Sequence, residues 1–297
     1  MEIDFLLWLQ GLRQSAPDFI TTALNALSSL FNGPALLLIV GLVYLCVNKK
    51  CAYYIAACYL GSMTVSQTLK LMFCVNRPWV LDARVTPYEG AVSGATGYSF
   101  PSGHTTSAVS SMGSVAAFVR KRWVTVLCVL VALLTAFSRM WLGCHTPKDV
   151  LAAILISCLV IALVSHFSRY LEAHPNHDIS LGVLLLIIGI ALLLVVSLKP
   201  YPVQYAADGS LLVDPVDMQM DVYRAVGAYA GFILGWIIER RAINFSVEGT
   251  LPQKILRAVV CLAIVALLYF LVLPYVLGNF DERIIDCCHV ASYFAPP

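Results

Sequence analysis

Apolar residues in this chain fall in long, nearly unbroken runs separated by short polar breaks. They do not alternate as in a half-buried strand, nor keep to one stripe as on a surface helix. A helix needs about 20 apolar residues to cross a bilayer. Eight runs approach or reach that length: 28–47, 52–72, 103–119, 123–141, 149–168, 179–198, 220–238 and 255–275. The first is the weakest, because Asn32-Gly33-Pro34 interrupts it and 18–30 can stand as a separate short helix. The pattern predicts an all-α fold, a polytopic transmembrane helical bundle of six to eight spans. Residues 3–12 differ. Ile3, Phe5, Leu6, Trp8 and Leu9 suit an amphipathic helix lying in the bilayer surface, so 1–27 reads as an N-terminal interfacial region.

Composition agrees. The 297 residues are 60% hydrophobic and 12% charged, against about 25% charged in a soluble domain. A net charge of +2 is too small for a nucleic-acid surface. Position matters more. With eight alternating spans, Lys49, Lys50, Arg120, Lys121, Arg122, Arg169, Arg240, Arg241, Lys254 and Arg257 all fall on one side, which the positive-inside bias makes cytoplasmic. Both termini and the two long loops, 76–101 and 199–219, then lie outside. The second loop, with Tyr201, Tyr205 and several acids, reads equally as a cover for a site or as a solvated connector. His174 and His177 read as solvated surface histidines. No basic stretch followed by an apolar core and a small-residue cleavage site opens the chain, so no cleaved signal peptide is expected. The ten cysteines show no C-x-x-C spacing, and neither a disulfide framework nor a metal site is read from them. Cys287 and Cys288 in the tail read as loosely packed thiols.

Three polar clusters remain, all at span rims on the side opposite the basic loops. The first is Lys70 and, seven residues on, Arg77-Pro78. If the helix persists, seven residues is two turns and both cations face one way. Pro78 should end the helix at Arg77. Arginine grips phosphate oxygens bidentately and lysine adds a point charge. Taken alone, the pair reads equally as cations snorkelling to lipid headgroups. The second is Pro101-Ser102-Gly103-His104. Ser102 is a candidate N-cap, Gly103 allows an anion close to the backbone, and the helix start favours negative charge. The third is Ser138-Arg139, then His145 and Asp149. Thr146-Pro147-Lys148-Asp149 forms a capping box, and Asp149 is within reach of one His145 ring nitrogen, leaving the other free as a nucleophile.

Together the clusters resemble the three-part signature of the type 2 phosphatidic acid phosphatase family, the lipid phosphate phosphatases. The pattern is Lys-x6-Arg-Pro, Pro-Ser-Gly-His, and Ser-Arg-x5-His-x3-Asp, and every element is present within about residues 50–170. The resemblance implies a six-span phosphatase core, here about 28–198, a loop at 199–219, and additional C-terminal helices and tail over 220–297. It implies a membrane lipid phosphate or diphosphate phosphatase with His145 as nucleophile, Asp149 orienting it, and His104 as general acid and base. Lys70, Arg77, Ser102, Gly103 and Arg139 would bind phosphate. No cofactor or metal is implied. The expected partner is a lipid phosphate in the bilayer, such as phosphatidic acid or a polyprenyl diphosphate, with a homodimer left open. The expected location is a bacterial plasma membrane with the site extracytoplasmic. A phosphotransferase using the same His-His-Asp chemistry is the alternative. Haloperoxidases resemble the site but are soluble. A transporter would be expected to carry an incomplete motif.

Overall fold

The computed structural model describes residues 2–31, 35–206, 209, 211–268 and 270. Among these, pairing of extended chain is confined to an isolated bridge between Tyr205 and Leu211. Helices run over Glu2–Ser15 (α1), Asp18–Ser29 (α2), Ala35–Cys46 (α3) and Lys49–Phe73 (α4). Two single turns, Pro78–Leu81 (α5) and Glu89–Val92 (α6), lie in the loop before Gly103–Val119 (α7). Arg122–Trp141 (α8), Pro147–Ala173 (α9), Asp178–Leu198 (α10), Pro215–Ile238 (α11) and Leu251–Leu267 (α12) follow. The fold is the expected all-α membrane bundle. α8, α9 and the segment Pro175–Leu198 are long and apolar enough to cross a membrane.

The centre of the bundle is α7, packed against α4, α8 and α9. Its sequence is small and hydroxylic, and small residues let helices approach closely where lipid supplies no hydrophobic drive between them. Thr106, Ser110, Ser111 and Ser114 donate their hydroxyls to carbonyls one turn back, so these buried groups are satisfied within the helix. On the outside, Val126, Leu130, Leu133 and Leu134 of α8 are exposed, as a lipid-facing surface requires. α11 packs on α4 and α10, so the C-terminal part of the chain is built into the bundle.

Two expectations need correction. The crossing predicted at 28–47 is not one helix. α2 and α3 have 12 residues each, about 18 Å, short of the roughly 30 Å hydrocarbon core. α2 packs on α8, while α3 lies on the first half of α4, with Val40 against Ala52, Ile55 and Ala56. The interrupting residues 32–34 lie outside the described residues, as do Asp208, 271–275 of the last predicted span, and Cys287 and Cys288. Secondly, Leu6 and Leu9 do not face a bilayer surface. They are buried with Ala91, Trp141 and Leu142, and Arg13 Nη1 donates to Trp141 O at 2.8 Å. Phe5 and Trp8 stay exposed. An amphipathic pattern is the same whether its apolar face meets lipid or protein.

Candidate active site

α4 stops at Phe73, with Cys74 in the left-handed conformation at φ 48°. Lys70 and Arg77 therefore share no helix face, and the helix does not reach Arg77 as the sequence suggested. What unites them is a stretch of main chain. Lys70 Nζ donates to Tyr98 O at 2.9 Å, Arg77 Nε to Gly97 O at 2.9 Å and Arg77 Nη2 to Thr96 O at 2.7 Å. Gly97 has φ +63°, and a Cβ there would lie 1.9 Å from Met218 Sδ of α11. Only glycine suits that conformation and that contact.

At the start of α7, Ser102 holds the N-cap position but its side chain caps nothing. Its Oγ accepts from Thr105 Oγ1 at 2.9 Å, and its N–H donates to Asp149 O at 3.1 Å, joining the starts of α7 and α9. Gly103 sits over Lys70. A Cβ on it would meet only Lys70 Cε, at 4.0 Å, so no protein atom demands glycine here. His104 is 8% exposed and, among the described residues, has no hydrogen-bond partner.

The capping box at α9 is present as expected: Thr146 N donates to Asp149 Oδ2 at 2.8 Å, and Asp149 N to Thr146 Oγ1 at 3.4 Å. His145, in the turn just before it, is 1% exposed. Asp149 Oδ2 lies 3.5 Å from His145 Nδ1, too long for a good hydrogen bond. Ser99 closes that gap. Its Oγ donates to Asp149 Oδ2 at 2.6 Å and lies 3.3 Å from His145 Nδ1. On the other side of the ring, Arg77 Nη1 donates to His145 Nε2 at 2.8 Å. Guanidinium only donates, so Nε2 presents its lone pair and the neutral ring carries its proton on Nδ1. Burial first, then the charges of Arg77, Lys70 and Arg139, hold the ring well below the usual imidazole pKa.

The two arginines are disposed differently. Arg77 also donates to Cys144 O at 3.1 Å, so four of its five N–H groups are in use. Arg139, 1% exposed, donates from Nη1 to Ser28 Oγ of α2 at 3.1 Å, while its Nε and Nη2 have no partner among the described residues. An unsatisfied buried donor costs about 1–3 kcal/mol. Two on one guanidinium form a fork matched to an oxyanion. The structure thus brings together Lys70, Arg77, Gly103, His104, Arg139, His145 and Asp149. Ser99 and Ser28, which come from a loop and from α2, are not marked by any motif in the chain. The run of small residues before Pro101 was the nearest signal.

Residues 51–173 match the family model described as PAP2 superfamily, and 223–295 match the one described as PAP2 superfamily phosphatase, transmembrane extension. Undecaprenyl-diphosphatase BcrC of Bacillus subtilis (strain 168) is 30% identical over 125 residues, 42% of this chain and 62% of that protein. Lipid A 4'-phosphatase of Bacteroides thetaiotaomicron is 26% identical over 36% of this chain and 53% of its own length. Phosphatidylglycerophosphatase B of Bacillus subtilis (strain 168) is 28% identical over 37% and 58% respectively. The chain thus spans under two thirds of each of these relatives. No solved structure matches it. The first match covers α4 to α9 with all three clusters and the second begins within α11, so the chain carries a PAP2 superfamily domain followed by that superfamily's transmembrane extension, in a multi-pass membrane protein.

Proposed function

We propose that this protein is a membrane lipid phosphatase that removes phosphate from a phosphomonoester or diphosphate head group through a phosphohistidine on His145. The observation that carries this reading is the neutral, buried His145 ring, its Nε2 lone pair held by Arg77 near an arginine with two open donors. The phosphate enters the fork of Arg139, with Lys70 and the α7 start at Gly103 adding positive potential, and takes over the Arg77 Nη1 contact to Nε2. Nε2 attacks phosphorus and the bond from phosphorus to the leaving oxygen breaks. His104, which takes up a proton as the phosphate anion binds beside it, gives that oxygen its proton. Water then attacks the phosphohistidine, passes a proton to His104, and inorganic phosphate departs as the P–N bond breaks. Asp149 and Ser99 hold the Nδ1 side throughout and stabilise the ring as it gains charge.

The relatives are named for a polyprenyl diphosphate, a lipid A phosphate and a phosphatidylglycerol phosphate, and a lipid phosphate is the substrate class carried over here. The proposed division is a core over 28–198, a loop over 199–219 and an extension over 220–297. The basic residues at the opposite ends of α4, α9 and α11 support an extracytoplasmic site. The test is turnover by purified protein in detergent on phosphorus-labelled phosphatidic acid, phosphatidylglycerol phosphate and a polyprenyl diphosphate. Free inorganic phosphate is the expected product. Label appearing in a new lipid would make the protein a phosphotransferase, and no turnover on any of the three would overturn the reading.

A further inference from the structure

The bundle is open between α9 and α10. The turn at Pro175–His177 joins them, but they hardly touch along their lengths; α9 packs on α4 and α10 on α11. The gap is a cavity of about 830 Å³, the size of a small-molecule site. Its back wall includes α4 from Lys49 to Val65, a rise of about 24 Å, with Tyr229, Phe232 and Trp236 of α11. Leu163 and Phe167 of α9 and Ile188 of α10 line it and are also exposed to the outside of the bundle. A long apolar slot open sideways between two membrane-crossing helices admits an alkyl chain from the bilayer more readily than a soluble metabolite.

One end of the slot is polar. Lys49, Lys50 and Arg240 meet Glu172 and Glu239 there. Lys49 is spent on Glu239 at 2.8 Å and Arg240 on Asp178 at 3.0 Å. Lys50 is exposed and, among the described residues, without a partner. This end is remote from the catalytic cluster, since Lys50 starts α4 and Lys70 ends it, about 30 Å along the helix. We propose that the cleft between α9 and α10 binds a membrane phospholipid with an anionic head group. An acyl chain lies in the slot and the phosphate against Lys50 at the rim.

Native mass spectrometry of the full-length protein in detergent tests this, titrating phosphatidylglycerol against phosphatidylcholine. One phosphatidylglycerol should be retained with about fivefold preference, the scale of one lysine at an anionic surface. Lys50→Glu should remove that preference. Leu185→Trp, which fills the slot, should release both lipids, and both variants should keep phosphate release within about twofold of wild type. Lys50→Glu alters an exposed side chain, so it stands as a test even where Leu185→Trp folds poorly. Equal retention of the two lipids by wild type would overturn the proposal. So would phosphatidylglycerol binding indifferent to both substitutions, which would place the lipid at the catalytic end. A dimer lost in Leu185→Trp in place of a lipid would assign the cleft to a second copy of the chain.

Discussion

Both ends of the bundle gather charge, and they handle it in opposite ways. Where α4 begins, cations meet carboxylates: Lys49 on Glu239, and Arg240 and Arg241 together on Asp178. Where α4 ends, Lys70, Arg77 and Arg139 are all at least 95% buried, with Asp149 the carboxylate held among them. Main-chain carbonyls of residues 96–98 and 144 fix Lys70 and Arg77 in place. A carbonyl orients a cation without cancelling its charge, so the proposed catalytic end keeps a positive excess in a buried setting. Uncompensated buried charge is costly, and a phosphate bound as proposed would relieve it. The other end sets three cations against two carboxylates, so its excess is smaller and lies on partly exposed arginines, and it reads as a fastening of α4 and α10 to α11 and the chain just beyond it.

The sharpest way to break this contrast is at the proposed nucleophile. His145→Ala should lower kcat by about 10⁴-fold or more, with none of the labelled phosphoenzyme that the wild type shows on alkali-quenched gels; near-native turnover would end the assignment. Next comes the open fork. Arg139→Ala should cost about 10²–10³-fold in kcat/KM, and Arg139→Lys should recover only part, because ammonium cannot replace bidentate contact. Ser99→Ala, read in kcat, should cost about tenfold, the worth of roughly 1.4 kcal/mol.

The acid limb of the kcat/KM profile provides a finer test. Because burial and neighbouring cations depress the His145 pKa, the ring stays neutral and nucleophilic as pH falls through the normal histidine range, and activity should persist there. Arg77→Gln removes one of those cations, raises the ring pKa, and should move the acid limb towards neutrality. The smallest effect belongs to the other end. Asp178→Asn should lower Tm by a few degrees while leaving kcat/KM within about twofold. A large catalytic loss there would dissolve the distinction between the two ends.

Much of this arrangement was legible in the chain. Apolar run length gave α4, α7, α8, α9 and α10 to within a few residues at most boundaries. The cap at Thr146 was readable because Ser/Thr and an acid three residues on is a local pattern. What was not legible depends on distant partners. Ser28 reaches Arg139 across 111 residues, and Ser99 reaches Asp149 across 50. The Lys70–Arg77 relation was read as helical when it is made by carbonyls of a loop. The 28–47 crossing failed on a signal the chain did carry, the Asn32-Gly33-Pro34 interruption, since α2 ends at Ser29 and α3 begins at Ala35.

The contact between Gly97 and Met218 bears on how this chain can be recombined. A residue of the superfamily core and a residue ahead of the matched extension occupy one space, with no room for even a methyl group on the first. A chimera that grafts a foreign extension onto residues 1–198 would retain every proposed catalytic side chain, yet would leave the backbone at 96–98 without its brace. Exchange of the two parts between homologues should succeed when positions 97 and 218 travel together, and fail in phosphate binding when they are separated.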